Sequence, residues 1–242
     1  MRYIGWKWKV FNYLEVYMRN NFTINNCMLI GAFVFILCMC MNVKVSYGAD
    51  SFTVYQDKTS SYKGNRTSLK KIGSVKGNGK YNKGKYPTRK GVILVTASGK
   101  IANVVGHSAI VYSSGYVIES VQNGVIIGRN NWKTRKCNMA AVTVRKTTRA
   151  QDAKVSDWCR RQKGKKYNFD YYNMNKVKEY YCSQLIWAGF KNLYKIDLNT
   201  KAYDVGNKKA IGPYEFVRKS ASVIFPIYIQ KWNRNDVTSL FK

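Results

Sequence analysis

A thiol, an imidazole and a carboxylate are the groups in this sequence whose types and spacing could do chemistry together. Cys182 stands in YYCSQLIW, where an apolar helix is predicted to begin. Unsatisfied N–H groups and the positive end of the helix dipole favour a thiolate over a thiol at such a position. The thiolate is the nucleophilic form, so the placement readies Cys182 to attack a carbonyl carbon. A nucleophile of this kind needs a base, and His107 is the only histidine among the 242 residues. It lies 75 residues before Cys182, so the base precedes the nucleophile in the chain. A single histidine also rules out any zinc site or proton relay built on two or more imidazoles.

The imidazole needs an orienting partner in turn, and Glu119 is the candidate. His107–Tyr112 (HSAIVY) and Tyr116–Val121 (YVIESV) read as strands joined by Ser113-Ser114-Gly115, with glycine available for a positive φ. With the turn centred at Ser113 or Ser114, His107 faces residue 119 or 121. Residues two apart share a face, so Glu119 is within reach in either register. A one-residue slip would turn it to the opposite face.

Around that hairpin, Val92–Thr96 (VILVT), Val125–Ile127, Ala141–Arg145 (AVTVR) and Val223–Ile229 (VIFPIYI) are predicted strands, with Pro226 marking an edge or a bulge. Arg129–Lys136 (RNNWKTRK) reads as a basic loop. Thr148, with Gln151 three residues on, is a capping-box helix start. Val155, Trp158, Cys159 and Gln162 mark that helix's inner face and Gly164 its C-cap. Cys159 on that face reads as a packed thiol. A second helix is expected from about Ser183 to Leu193. The class is α+β: an antiparallel strand meander packed with two or three helices, the nucleophile at a helix start.

Charge and composition organise the rest. The chain carries 42 Lys and Arg against 12 Asp and Glu, a formal charge of +30, with 45% hydrophobic residues. That apolar share supports one sizeable core and excludes a disordered polycation. Residues 20–43 are uncharged and Cys27–Met41 is nearly all apolar, preceded by Arg2, Lys7, Lys9 and Arg19 and followed by small residues at Ser46, Gly48 and Ala49. The pattern suits an export signal over residues 1–49, with a retained anchor as the alternative. Its removal leaves Cys137, Cys159 and Cys182, an odd number without a C-x-x-C pair. Residues 50–89, rich in Lys, Gly, Asn and Ser, are expected to form a flexible or loosely docked basic arm. Residues 90–230 are the folded domain and 231–242 a tail. For an exported chain, anionic envelope polymers or lipid headgroups are better partners than nucleic acid, for which no fold signature is present.

GHSAIVYSSGYVIES, GKKYNFD, YYCSQLIW and IGPYEF, in that order, resemble the YiiX/YebB-like branch of the NlpC-like cysteine hydrolases, over about Lys90 to Ile229. The resemblance implies a circularly permuted papain-like fold, with His107 as base, Glu119 as its orienting residue and Cys182 as nucleophile. It implies amide or ester chemistry through a thioester, on a peptide or amide substrate such as a cell-wall peptide, without metal or organic cofactor, in a bacterial envelope or secreted setting. Three positions depart from the family pattern: Val92 follows Gly91 where Asp is usual, Gln184 stands where many members have Glu, and Tyr167-Asn168 replaces Tyr-Asp. With Tyr181, residues Tyr167 and Gln184 are the candidates for lining the substrate pocket. The rival readings are an acyltransferase or thioesterase of the same fold acting on lipids, and a non-catalytic basic module that binds polyanions.

Overall fold

The computed structural model describes residues 51–64, 69–76, 82–96, 106–135, 138–217 and 223–231. The expected export signal, nearly all of the tail and Cys137 lie outside the described residues. Elements run β1 (Ser51–Tyr55), β2 (Lys71–Lys76), β3 (Asn82–Lys83), β4 (Ile93–Thr96), β5 (His107–Val111), β6 (Tyr116–Val121), β7 (Gly124–Arg129), α1 (Trp132–Arg135), β8 (Met139–Val144), α2 (Arg149–Arg161), α3 (Cys182–Tyr194), a 3-10 turn (Pro213–Val217) and β9 (Ile224–Gln230). Among these, no helix is long and apolar enough to cross a membrane.

Seven strands form an antiparallel sheet in the order β3-β9-β8-β4-β5-β6-β7. From β4 to β7 the chain meanders, then β8 returns to the far side of β4 and β9 adds beyond it. Ala141 faces Tyr228 while Val142 faces Pro226, so the register shifts there and the proline sits at a bulge between two paired strands. The α2 start carries the capping box, with Gln151 N–H donating to Thr148 Oγ1 at 3.2 Å and Thr148 N–H to Gln151 Oε1 at 2.8 Å. Its C-cap is Gln162, not Gly164. Gly164, at φ +86°, turns the chain two residues later and donates its N–H to the Val125 carbonyl.

The sheet buries side chains on both faces. Ile93, Val95, Ile110, Ile118, Ala140 and Val142 pack with α2, α3 and the 3-10 turn, joining Val155, Leu185, Ile186 and Phe216. The alternate residues Val92, Leu94, Ala109, Val111, Val117, Ala141 and Phe225 form a second apolar layer. Strands apolar on both faces need two covers, and the second is built from the segment expected to be a loose arm. Tyr55, Leu69 and Tyr86 pack on this layer, and β1 pairs with β2 as a ribbon. The arm is also anchored electrostatically. Lys58 is buried and donates to Asp152 Oδ2 at 2.8 Å and Thr147 Oγ1 at 2.9 Å. Arg89 spans Asp57 and the same Asp152 at 2.8 and 2.9 Å. Burial pulls the Lys58 amine down to about 8 against the opposing pull of Asp152. The polar composition hid this role because only a few rings and aliphatic side chains do the covering.

Candidate active site

Cys182 is the first residue of α3, preceded by the extended N-cap Tyr181 at φ −86° and ψ 170°. Tyrosine is a poor cap, and Gln184 supplies part of the function: its Oε1 accepts the Tyr181 N–H at 3.1 Å and the Asn168 side-chain amide at 3.0 Å. Its Nε2 donates to the Met174 carbonyl at 3.0 Å. Gln184 is fully buried and committed to the helix start and the 168–174 loop, so it supports Cys182 from behind instead of facing a substrate.

His107 opens β5. Ala109 pairs with Glu119, so the His107–Glu119 contact runs diagonally across the ladder, and His107 Nε2 lies 2.8 Å from Glu119 Oε2. The other ring nitrogen is left for the thiol, with which the imidazole hydrogen-bonds. Burial opposes charge on His107, but hydrogen bonds to Cys182 and Glu119, with their negative charges, outweigh it and raise the imidazole to about 9. Burial likewise pushes the Cys182 thiol up, and the His107 hydrogen bond and charge, with the Ser108 N–H and hydroxyl, bring it below its ordinary value. Among the described residues the Ser108 hydroxyl has no nitrogen or oxygen partner and is left to the sulfur. A thiolate beside an imidazolium is the state this environment favours.

The expected basic loop carries the rest of the site. Its first turn, α1, lays the Trp132 ring over His107, with centroids 5.6 Å apart and planes 26° apart. Arg135 reaches Glu119 Oε1 at 3.7 Å, so the carboxylate bridges imidazole and guanidinium. Sequence reasoning missed Trp132, Arg135 and Ser108. A single helical turn has no periodicity to detect, and Ser108 had only its adjacency to His107 to mark it. Tyr167 and Tyr171 hydrogen-bond each other, and both are pushed up by burial and by the Cys182 charge. Tyr181 is buried, its ring 5.4 Å from that of Tyr171. Tyr167 and Tyr171, which feel the Cys182 charge, are half-buried and retain some access to solvent. Cys159 is buried and pushed up by that burial, an inert packed thiol. Among the described residues, no group of three or more His, Cys, Asp or Glu side chains converges as a metal site.

Glu119 owes its place to a missing side chain. A Cβ on Gly128, in the neighbouring strand β7, would lie 2.1 Å from Glu119 Oε1. Gly128→Ala is therefore expected to drive the carboxylate off His107 and cut the reactivity of the Cys182 thiol at neutral pH by about tenfold or more. The imidazole resonances of the variant, titrated by NMR, should show the His107 pKa falling from about 9 toward its ordinary value; an unchanged titration would contradict the argument.

An antiparallel sheet flanked by helices, with a strand histidine ahead of a helix-start cysteine, defines a permuted papain-like domain. Residues 93–238, more than half of the chain, match the family described as the permuted papain-like amidase enzyme, YaeF/YiiX, C92 family, and the chain belongs to that family. A crystal structure of the metalloprotein yiiX from Escherichia coli O157:H7 superposes with a TM-score of 0.46 at 16% identity, covering 59% of this chain and 97% of that one. No curated protein sequence matches.

Proposed function

We propose that this protein is an exported thiol amidase in which Cys182, His107 and Glu119 act as a triad on peptide amides of the bacterial cell wall. The observation that carries the reading is the charged relay of contacts from Glu119 through His107 to Cys182, with the Glu119–His107 contact at 2.8 Å. The Cys182 thiolate attacks the amide carbonyl, and the resulting oxyanion is held by backbone N–H groups at the start of α3 that have no partner within the helix. The imidazolium of His107 gives its proton to the leaving nitrogen as the C–N bond breaks, leaving a thioester and a free amine. Water then adds to the thioester, His107 taking its proton. The C–S bond breaks, the carboxylate product leaves and the thiolate is restored. Glu119 keeps the imidazole in position and stabilises its charge, while Trp132 covers its face. Tyr167 and Tyr171 offer aromatic walls to the substrate.

The N-terminal pattern and the charge of +30 support the setting, because a strongly cationic protein is drawn to anionic envelope polymers. The test is release of peptides from purified cell wall. Protein with Cys182 intact should liberate new amines and Cys182→Ala should not. No release by active protein, together with an acyl adduct on Cys182 from acyl-ester substrates, would replace this substrate by a lipid and the hydrolase by an acyltransferase.

A further inference from the structure

The stretch Ile211-Gly212-Pro213-Tyr214-Glu215 supplies no group to the amide chemistry, yet it bears on both halves of the site. Tyr181 and Ser183 flank Cys182, and both bond to the backbone of Ile211. The Tyr181 hydroxyl accepts the Ile211 N–H at 3.1 Å, and the Ser183 hydroxyl donates to the Ile211 carbonyl at 2.6 Å. Both side chains are buried, where water does not compete for these bonds.

Ile211 is held in place by Glu215, a carboxylate with 0% exposure. Its Oε2 accepts the Gly212 N–H at 2.7 Å, and its Oε1 accepts the N–H and the hydroxyl of Thr200, each at 2.6 Å. The Ala202 N–H adds a further bond. Gly212 has no room for a side chain, since a Cβ there would lie 2.2 Å from the Tyr203 ring. On the other side of the site, a Cβ on Gly106, the residue before His107, would lie 2.9 Å from the Tyr214 ring. One short segment thus braces the residue ahead of the imidazole and both residues beside the thiol.

We propose that Glu215, acting through Ile211, is a positioning residue that holds the Cys182 sulfur against His107; this rests on the thiol-amidase reading above. Glu215 touches no reacting atom. The need for such a brace follows from where Cys182 sits. The first turn of a helix lacks intrahelical partners for its N–H groups and frays readily, whereas misplacement of a reacting group by about 1 Å costs roughly a hundredfold in rate. The bonds to Ile211 tie that first turn to a segment anchored by a buried carboxyl group with four donors.

Two variants test the brace. Ser183→Ala removes one Ile211 bond and leaves the rest of the segment intact; Glu215→Gln removes an acceptor at its anchor. Alkylation of Cys182 by iodoacetamide is followed at pH 6, where the thiolate depends on His107, and at pH 10, where a thiolate forms without it. The expected result is a fall of about tenfold at pH 6 in Ser183→Ala, a larger fall in Glu215→Gln, and rates within about twofold of the parent at pH 10. Equal losses at both pH values, or a lowered melting temperature with the pH profile unchanged, would overturn the proposal and leave the segment a stability element only. Should Glu215→Gln fail to fold, Ser183→Ala decides alone. If the parent protein itself shows no His107-dependent reactivity at pH 6, the amidase reading fails separately. Amide exchange at residues 182–185 then judges the brace: faster exchange in Ser183→Ala supports it, and unchanged exchange refutes it.

Discussion

With His107 replaced by alanine, the alkylation rate of Cys182 at pH 6 is expected to fall by about a hundredfold. In the parent protein the imidazolium holds its proton to about 9 and the thiol ionises below its ordinary value. The ion pair therefore exists from the lowered thiol pKa up to about pH 9, and alkylation should be fast and nearly flat across that window. Without the imidazole, only the Ser108 N–H and hydroxyl oppose the burial that pushes the Cys182 thiol up. A thiol titrating at about 8.5 or above is less than about 1% thiolate at pH 6, which sets the size of the loss. Hydrolysis should follow a different upper limb from alkylation. Above about pH 9 His107 loses its proton; the thiolate still alkylates, but no acid remains for the leaving amine, so hydrolysis declines. Cys182→Ala should abolish hydrolysis, a loss of about a thousandfold or more. Mass-resolved alkylation of Cys182 and Cys159 in one sample is the measurement, with the buried Cys159 as the slow internal standard. Equal rates at the two thiols, indifferent to His107, would remove the nucleophile from the proposed mechanism.

Deleting residues 51–89 is expected to abolish cooperative folding. The cut removes Tyr55, Leu69 and Tyr86 from a layer that includes Val92, Leu94, Val111, Val117 and Phe225. Baring a large apolar side chain costs about 1.5–3 kcal/mol, so losing cover over even part of this layer rivals the roughly 5–15 kcal/mol that holds a domain folded. The deletion also strips Asp152 of Lys58 and Arg89, both of which pair with it through side chains no more than 10% exposed. An uncompensated buried charge costs about 3–5 kcal/mol. Asp152→Asn isolates that second contribution, since it leaves Lys58 and Arg89 facing each other without their shared anion, and the unfolding free energy should drop by about 3–5 kcal/mol. Guanidinium unfolding monitored by tryptophan fluorescence reads both. A truncated protein that unfolds cooperatively at the parent midpoint would show that the arm only rests on the sheet.

What could be read from the sequence was local, and what could not depended on distant partners. A hairpin fixes which residues share a face once its turn is located, so Glu119 could be placed near His107 from Ser113-Ser114-Gly115 alone. Thr148 and Gln151 likewise mark a helix start by their own spacing. Gln184 could not be separated from a pocket residue, because its partners Asn168 and Met174 meet it only when the loop folds back on α3. Trp132 and Arg135 sat in a run of basic residues whose single turn leaves no pattern. The arm misled through averaging: its mean composition is that of a disordered segment, while the few residues that matter, Lys58, Tyr55, Leu69 and Tyr86, are scattered singly. One signal did point to it. VILVT is apolar at every position but its last, and a strand buried on both faces implies a second cover that something in the chain must provide.

That cover sets an order of events in time. Tyr55 packs against Phe225 with ring centroids 5.6 Å apart, yet 170 residues separate them along the chain. Translation at roughly 5–20 residues per second leaves about 8–35 s between the synthesis of the two. Throughout that interval the layer that the arm covers lacks Phe225, Ile227 and Tyr228, and β8 lacks its outer neighbour. Contacts of such long sequence separation also slow the folding reaction itself, because the loop they close must be paid for in entropy before any of them forms. Completion of this layer therefore waits on β9, the last of the described strands, over which the earliest described residues fold.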